Sequence, residues 1–473
     1  MGLPNVMLTG RSGMVAAKAA IATSGHNVAN ANTEGYSRQR VIQATDTPQK
    51  GPGSGALIGQ GTTIARVERV NDEYVEKQLR NSGRNLANCE EKEVVLKQTE
   101  DIFNEMGGEG LNRLVARFFN EFRKLANEPD NEAVRQSVRE ASQALVNDFH
   151  RLRNSVDDVR KHIDARIEAH CKEVNSLGEE LRDLNQKVRA VEIGGASPND
   201  LLDQRDAVLR KLGSYMDLNM HKDKEGNYVV DIVGVGPLVA GPNTEKFYVR
   251  RSPSDDQGKP ENAYDVVSTA SSKSVITHQV KGGKLGGLID TRDKTLSTIL
   301  DRLDDLAFTL SNSVNEIHRQ GFTRHGVRGM DFFGPVMIKE RAAEFIQLSD
   351  AVQSSVNNIA TAAIPDAPGD NRIAIAISGI QNMRIMSDQK ATMDDFYNSI
   401  VSDVGVAVAR NTSTMHQQKD IQTQLGKIRD QISGVSIDEE TANLLQFQHA
   451  FDASAKVIQV ADRMMETVLN LKK

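Results

Sequence analysis

The sequence has no tryptophan, two cysteines and 4% aromatic residues. Cys89 and Cys171 are too few for a disulfide scaffold or a cysteine-rich metal fold. They leave the compartment open, because an exported protein can lack bridges. No apolar run approaches the ~20 residues of a membrane helix. No basic segment followed by an apolar one opens the chain, so a secretory leader is not expected. Val6 stands where a myristoylation motif needs Ser or Thr. By these signals alone the chain reads as cytoplasmic. Lys and Arg total 58 against 64 Asp and Glu, a net charge of −6. That gives no electrostatic footprint for nucleic acid or an anionic membrane, and neither is expected as a partner.

Catalytic patterns are also missing. There is no Gly-x-Ser-x-Gly elbow. Lys281-Gly282-Gly283-Lys284-Leu285 lacks the upstream Gly and the following Ser/Thr of a phosphate loop. Gly53-Ser54-Gly55 and Gly59-Gln60-Gly61 lack the third Gly of a dinucleotide fingerprint. Asp223-Lys224-Glu225-Gly226 has the wrong ligand order for a calcium loop. The ten histidines are scattered. His170 beside Cys171 is the nearest thing to a reactive pair, and it reads more simply as part of a helix seam; His162 lies off that stripe. Glu90-Glu91-Lys92-Glu93 and Asp157-Asp158 read as solvated helix faces. No catalytic, cofactor-binding or metal residue is expected, and no cofactor.

What the chain does have is helical periodicity over 473 residues, a length that suggests about three domains. Met7, Met14, Ile21 and Val28 recur every seven residues, with Val15, Ala22 and Ala29 beside them. This is an amphipathic helix with a coiled-coil-like seam. It runs into Asn30-Ala31-Asn32-Thr33-Glu34-Gly35-Tyr36, rich in turn formers. Pro48, Gly51, Pro52, Gly53, Gly55, Gly59 and Gly61 then read as a loop or hinge. From about 67 to 212 the signal is helical. The clearest stripe runs from Leu145 through Phe149, Leu152, Val156, Val159, Ile163 and Ile167 to Val191, with His170 placed between Ile167 and Val174. Such a helix would be roughly 70 Å long and needs partner helices. A further helix follows, with Ser197 as its cap, Pro198 at its first position and Gly213 at its end.

Between 213 and 285 the character changes. Tyr228–Val233, Phe247-Tyr248-Val249 and Val275-Ile276-Thr277 read as short strands, and Glu225-Gly226-Asn227 as a hairpin turn. Helical spacing resumes from Leu296 to Ile317, ending at Gly321; 322–380 is mixed. No proline follows Pro368. Ile421, Leu425, Ile428 and Ile432 mark one helix; Ser436 and Glu439 form a capping box for the next. That last helix carries Leu444, Phe451, Ile458 and Met465 at spacing seven, flanked by Phe447, Ala455, Ala461 and Val468, with Lys472 and Lys473 at its end. The expected fold is mainly α with a small β-rich insertion: terminal helices forming a coiled-coil root, a long-helix bundle and an inserted β domain. The expected division is 1–62 with 430–473 as the terminal assembly domain. The helical body is 63–212 with 286–429, including the mixed segment 322–385, and the insertion is 213–285.

The segment Ser24-Gly25-His26-Asn27-Val28-Ala29-Asn30-Ala31-Asn32-Thr33-Glu34-Gly35-Tyr36-Ser37-Arg38-Gln39 resembles the N-terminal signature of bacterial flagellar rod, hook and hook-associated proteins. Asn27, Asn30, Asn32, Gly35, Tyr36, Ser37 and Arg38 carry the match; Glu34 stands where many relatives have Pro. The tail Asp438-Glu439-Glu440, Ala442–Gln448, Ala453–Ile458 and Leu469-Asn470-Leu471 is similar to the family's C-terminal signature. Within the family, Tyr36-Ser37-Arg38-Gln39 and three internal blocks resemble the hook–filament junction members. The blocks are Leu201–Asp206, Gly282–Leu288 and Val314–Gly321.

The resemblance implies a structural subunit at the junction between hook and filament, required for filament assembly and motility. It implies export, unfolded, through the flagellar type III apparatus, which places the mature chain outside the cell. Implied partners are its own copies in a ring, the hook protein, a second hook–filament junction protein and an export chaperone on the C-terminal helix. It further implies terminal helices that fold on incorporation, with Met14, Ile21 and Val28 packing on Leu444, Phe451, Ile458 and Met465 of their own or neighbouring subunits. A rod or hook subunit is the nearest alternative, set back by the long helix at 145–191. A cytoplasmic coiled-coil signalling protein has no use for the Asn-rich turn. A flagellum-associated hydrolase would need an acid–base cluster within 213–285, where only His221, His278 and scattered carboxylates stand.

Overall fold

A computed structural model describes residues 3–50, 57–104, 110–223, 228–252, 264–269, 275–367 and 369–470. Gly51, Pro52, Gly53 and Gly55, the turn Glu225-Gly226-Asn227, and Lys472 and Lys473 lie outside the described residues. The chain opens with α1 (Leu3–Ala29) and crosses a ribbon of β1 (Gln39–Thr45), β2 (Gln49–Lys50), β3 (Leu57–Ile58) and β4 (Thr62–Arg69). The body begins with α2 (Glu73–Phe103), α3 (Leu111–Asn127), α4 (Glu132–Ile193) and α5 (Asn199–Tyr215). A β region follows: β5 (Leu218–Lys222), β6 (Tyr228–Ile232), β7 (Gly236–Ala240), β8 (Asn243–Thr244), β9 (Phe247–Arg251) and β10 (Tyr264–Ser268). The chain returns through α6 (Gly283–Asp290), a π-helical turn and α7 (Ser297–His318). Short helices α8 (Ala342–Phe345), α9 (Asp350–Ser354) and α10 (Arg372–Gly379) occupy the mixed segment. Two long helices, α11 (Met393–Ser433) and α12 (Ile437–Asn470), follow. The fold is mainly α with a small antiparallel β insertion and long terminal helices.

The spine is α4, 62 residues and about 93 Å at 1.5 Å per residue. Asn131 caps it by accepting the Ala133 N–H at 3.0 Å. The apolar stripe from Leu145 to Val188 is buried. One position corrects the sequence reading. Cys171, not His170, fills the gap between Ile167 and Val174, because 167, 171 and 174 keep the four–three spacing. His170 lies at the edge of the stripe with Nε2 3.3 Å from a Glu91 oxygen and its ring edge-on to Tyr215. Burial pushes the Cys171 thiol up to about 12, so it behaves as an inert core side chain.

Aromatics are few but concentrated. Phe118 and Phe122 on α3 meet Phe332 at ring separations of 6.0 and 5.4 Å, and Phe332 meets Phe333 at 5.0 Å. Asn315 on α7 holds that corner: its Oδ1 accepts the Phe332 and Phe333 N–H groups at 2.9 Å. Arg153 on α4 pairs with Asp304 on α7 at 2.6 Å, both buried.

The β insertion sits on the C-terminal half of α4. Its four-stranded sheet has the order β5-β6-β7-β8, with Leu218 opposite Ile232 and a bulge between Val230 and Asp231; β9 and β10 form a separate pair. Asn175 of α4 acts as a partner strand for β9: its Oδ1 accepts the Phe247 N–H at 2.8 Å and its Nδ2 donates to the Phe247 carbonyl at 2.7 Å. Val275 makes a single bridge to Val267, so 275–277 is not the strand its composition suggests.

Two helix ends also differ from expectation. α5 starts at Asn199, preceded by Pro198 with no side-chain cap bond, and runs past Gly213 to Tyr215. Asn199 is drawn instead to the ribbon, donating to the Val67 carbonyl at 3.0 Å. β1 and β4 are the larger difference. The region after the Asn-rich turn, read as turn and loop, pairs Gln39 with Arg69 through Thr45 with Thr62.

Candidate assembly interface

The two chain ends meet. α1 packs antiparallel on α12, and the contact is close because α1 presents small residues there. A Cβ at Gly10 would lie 2.8 Å from Ile458 Cγ1 and 3.2 Å from the Ser454 carbonyl oxygen; one at Gly13 would lie 2.7 Å from Ser454 Oγ. Ala16, Ala17, Ala20, Ser24 and Asn27 continue the buried face. Met7, Met14, Ile21 and Val28 flank it, half-buried. On α12 Glu440, Leu444, Phe447, Phe451, Ser454, Ile458, Ala461 and Met465 are buried or half-buried in an unbroken four–three repeat, with Asn443 and Ala455 half-buried beside it.

A second stripe on each helix is left open. Leu8, Val15, Ala22 and Ala29, again seven apart, face solvent on α1. Val457, Val460, Met464 and Val468 do so on α12, with Val468 at 55% exposure. Ile421, Ile428 and Ile432 extend the uncovered apolar surface along α11. A helix pair that is apolar on two faces has one face too many for a free monomer in water.

The Asn-rich turn is a clasp on which the root converges. Asn27 is buried, and both ends of its side-chain amide are engaged. Its Nδ2 donates to the Gln39 carbonyl at 2.8 Å, and its Oδ1 accepts from Tyr36 Oη at 2.8 Å and from the Gln39 N–H at 2.9 Å. Asn30 closes the end of α1, with Nδ2 donating to the His26 carbonyl at 3.0 Å, and its Oδ1 receives Thr33 Oγ1 at 3.2 Å. Gly35 has φ +82, a left-handed turn that also brings its carbonyl to Arg429 at 3.0 Å. Asn32 is exposed. Ser37 N–H donates to Asp203 at 3.0 Å. Burial pushes the Tyr36 phenol above its ordinary value, and Asp200, Asp203 and Glu440 push the same way, so it stays a donor.

Arg38 carries the turn to the C-terminus. Its N–H donates to the Ser433 carbonyl at 2.8 Å, its Nη1 meets Glu439 at 2.9 Å and its Nε meets the buried Glu440 at 2.8 Å. Ser436 still caps α12, accepting the Glu439 N–H at 3.4 Å, but the Glu439 carboxylate is taken by Arg38. Arg429 and Arg210 both reach Glu76, at 3.2 and 2.9 Å, and so join α11 and α5 to α2. Asp203 and Asp206 hold Arg69 at 3.0 and 2.6 Å. Sequence reading singled out the turn itself and missed its counterparts Glu76, Asp203, Arg429 and Glu440. Two of them lie in blocks it had matched, Leu201–Asp206 and Asp438-Glu439-Glu440.

Among the described residues no group of three or more His, Cys, Asp or Glu side chains could hold a metal, and no helix is long and apolar enough to cross a membrane. The comparisons with known proteins fall on the same elements. The family model described as "Flagellar hook-associated protein FlgK helical domain" matches 96–333. "Flagella basal body rod protein" matches 7–36, which is α1 and the turn, and "Flagellar basal body rod FlgEFG protein C-terminal" matches 430–471. Flagellar hook-associated protein 1 of Bacillus subtilis is 30% identical, over 98% of this chain and 97% of its own. Its Salmonella typhimurium namesake is 25% identical over 98% of both. The solved flagellar hook junction protein FlgK from Burkholderia pseudomallei shares the fold, with a TM-score of 0.67 at 15% identity; it covers 75% of this chain and all of that one. The chain belongs to the flagellar hook-associated protein 1 family.

Proposed function

We infer that this chain is the structural subunit that joins the bacterial flagellar hook to the filament. The observation that carries the reading is the second apolar stripe on α1 and α12. The two ends are already paired with each other, yet Leu8, Val15, Val457, Val460 and Met464 remain uncovered. Neighbouring copies in a ring would cover them. Burying such side chains contributes about 1.5–3 kcal/mol each, enough over a ring of contacts to offset the ordering of long helices.

The division of labour follows from the sequence. Residues 1–62 and 430–473 form the assembly root, 63–212 and 286–429 the helical body, and 213–285 an outward β insertion. Met7, Met14, Ile21, Val28, Leu444, Phe451, Ile458 and Met465 are the assembly positions at which the two ends pair, and Val468, on the open stripe, is one that a neighbouring copy covers. The chain leaves the cell unfolded through the type III export apparatus, with its C-terminal helix held by an export chaperone. It then packs between the hook protein and a second junction protein. The role is structural and not enzymatic.

The deciding experiment is electron microscopy of cells lacking the gene, with flagellin assayed in the medium. Hooks without filaments, with flagellin lost to the medium, are expected. Missing hooks would move the chain to the rod or hook, and intact filaments would remove the role.

A further inference from the structure

A cleft of about 820 Å³ lies between α2, the C-terminal part of α4, α5 and the β insertion. Behind its walls lie buried polar atoms that have no partner among the described residues. Arg205 of α5 is buried, stacks on the Tyr228 ring at 4.2 Å, and has no hydrogen-bond partner for its Nε. Asn71 Oδ1 and Asn185 Oδ1, also in the walls, are buried without a partner.

The charge in the cleft is unbalanced. Asp206 and Asp217 are engaged by Arg69 and Arg84, and Glu76 by Arg210 and Arg429. Lys77, Arg80 and Lys222 line the same cleft and enter no ion pair among the described residues. They and Arg205 outnumber the exposed rim carboxylates Glu73 and Glu192. One wall is a strand edge. Among the described residues β5 pairs only with β6, so its other edge offers backbone N–H and C=O groups beside Asn219 and Met220.

We propose that this cleft receives an extended, carboxylate-bearing segment of a neighbouring polypeptide, which adds as a strand to the open edge of β5. Main-chain bonds to β5 supply affinity, and acidic side chains meeting Arg80, Lys222 and Arg205 supply selectivity. The proposal rests on the assembly reading for one point: the neighbour is met in the assembled flagellum.

The test places a benzophenone amino acid at Asn219 of the full chain in cells building flagella, with irradiation before the flagella are purified. A covalent adduct to a neighbouring polypeptide is expected, attached within a segment carrying Asp or Glu. Arg80→Glu with Lys222→Glu lowers its yield about tenfold, the effect of one charge-assisted contact. Lys161→Glu, on an exposed part of α4, leaves it unchanged. If the double variant melts early, Lys222→Glu alone, at an exposed position, carries the comparison. Flagella that contain the chain but yield no adduct overturn the proposal, as does an adduct indifferent to the charge reversal or attached to a segment without carboxylates. Flagella without the chain would overturn the assembly reading instead.

Discussion

Tyr36 Oη donates to Asn27 Oδ1 at 2.8 Å, across the turn that ends the first helix. The same oxygen accepts the Gln39 N–H, while the Asn27 amide donates to the Gln39 carbonyl. One buried side chain therefore satisfies both backbone groups of the first residue of β1. The exit of α1 is fixed against the ribbon, and Arg38, between them, is aimed at the start of α12. Turn and coiled coil thus form one unit.

Replacing Asn27 tests that unit. Asn27→Leu leaves the Tyr36 hydroxyl and both Gln39 backbone groups without partners, at about 1–3 kcal/mol for each buried group. Asn27→Asp sets an acceptor against the Gln39 carbonyl and buries a charge. Tyr36→Phe removes one bond and costs about 1 kcal/mol. Hydrogen exchange at the Gln39 amide is expected to rise in the order Tyr36→Phe, then Asn27→Leu; unchanged exchange in Asn27→Leu would sink the clasp.

Gly10 sets the approach of the terminal helices. A methyl at Gly10 would press on Ile458 and on the Ser454 backbone at once, and a backbone atom cannot swing aside. Gly10→Val is expected to force α1 off α12, cost about 1–3 kcal/mol as overpacking does, and abolish motility. Gly10→Ala combined with Ile458→Ala is expected to swim better than Gly10→Ala alone, because the smaller side chain at 458 makes room. A swarm assay that shows no such rescue would locate the Gly10 requirement elsewhere.

The helices were legible in the sequence where apolar side chains mark the buried face. The stripe from Leu145 to Val188 and the repeat through Phe451 and Ile458 are of that kind, and their periodicity is a direct image of packing. On α1 the packing face is Gly10, Gly13, Ala17 and Ala20, and hydrophobicity draws the eye to Met14 and Ile21 at its flank. Small residues mark closeness, which a hydrophobic pattern does not register. The β1–β4 ribbon hid for another reason: its strands face water, with most residues exposed or half-buried, so no alternation is imposed. The clasp was half legible. Tyr36 and Arg38 sit in the matched motif, but Asp203 lies 166 residues beyond Ser37 and Glu440 lies farther still, near the other end of the chain, and only the fold brings them in.

His318 supplies a pH dependence. It is fully buried, with Nδ1 donating to the Met330 carbonyl and Nε2 accepting the Ala360 N–H at 2.8 Å, an arrangement only the neutral ring can make. Burial lowers its pKa to about 4, with Arg135 pushing the same way and Asp331 against. The unfolded value is near 6.5, so the unfolded chain binds more protons between these limits. This contribution is complete above about pH 6.5 and is lost as the pH falls towards 4, by up to roughly 3 kcal/mol. A chain of this size does not unfold in one step, so exchange of the Ala360 amide is the measurement. Its protection is expected to fall between pH 7 and 5 in the wild type and to be flat over that range in His318→Gln.

The inner and outer stripes of α12 separate folding from assembly. Ile458 faces α1, so Ile458→Asp places a charge in the seam; Phe451→Asp does the same one heptad earlier. Both are expected to release α1 from α12 and block incorporation, while the middle of the chain, with its own core around Phe118 and Leu152, stays folded. Val460 and Met464 face solvent, so Val460→Asp and Met464→Asp are expected to change the stability of the free chain by no more than about 0.5 kcal/mol, as surface substitutions do. They are nevertheless expected to abolish filaments, because the charge would be buried between copies in the ring. Unfolding of the purified variants and filament counts by electron microscopy give the two readouts. Normal filaments on Met464→Asp cells would mean that the outer stripe stays uncovered in the flagellum. The ring would then have to be held by the helical body, since the inner stripe is already occupied by α1.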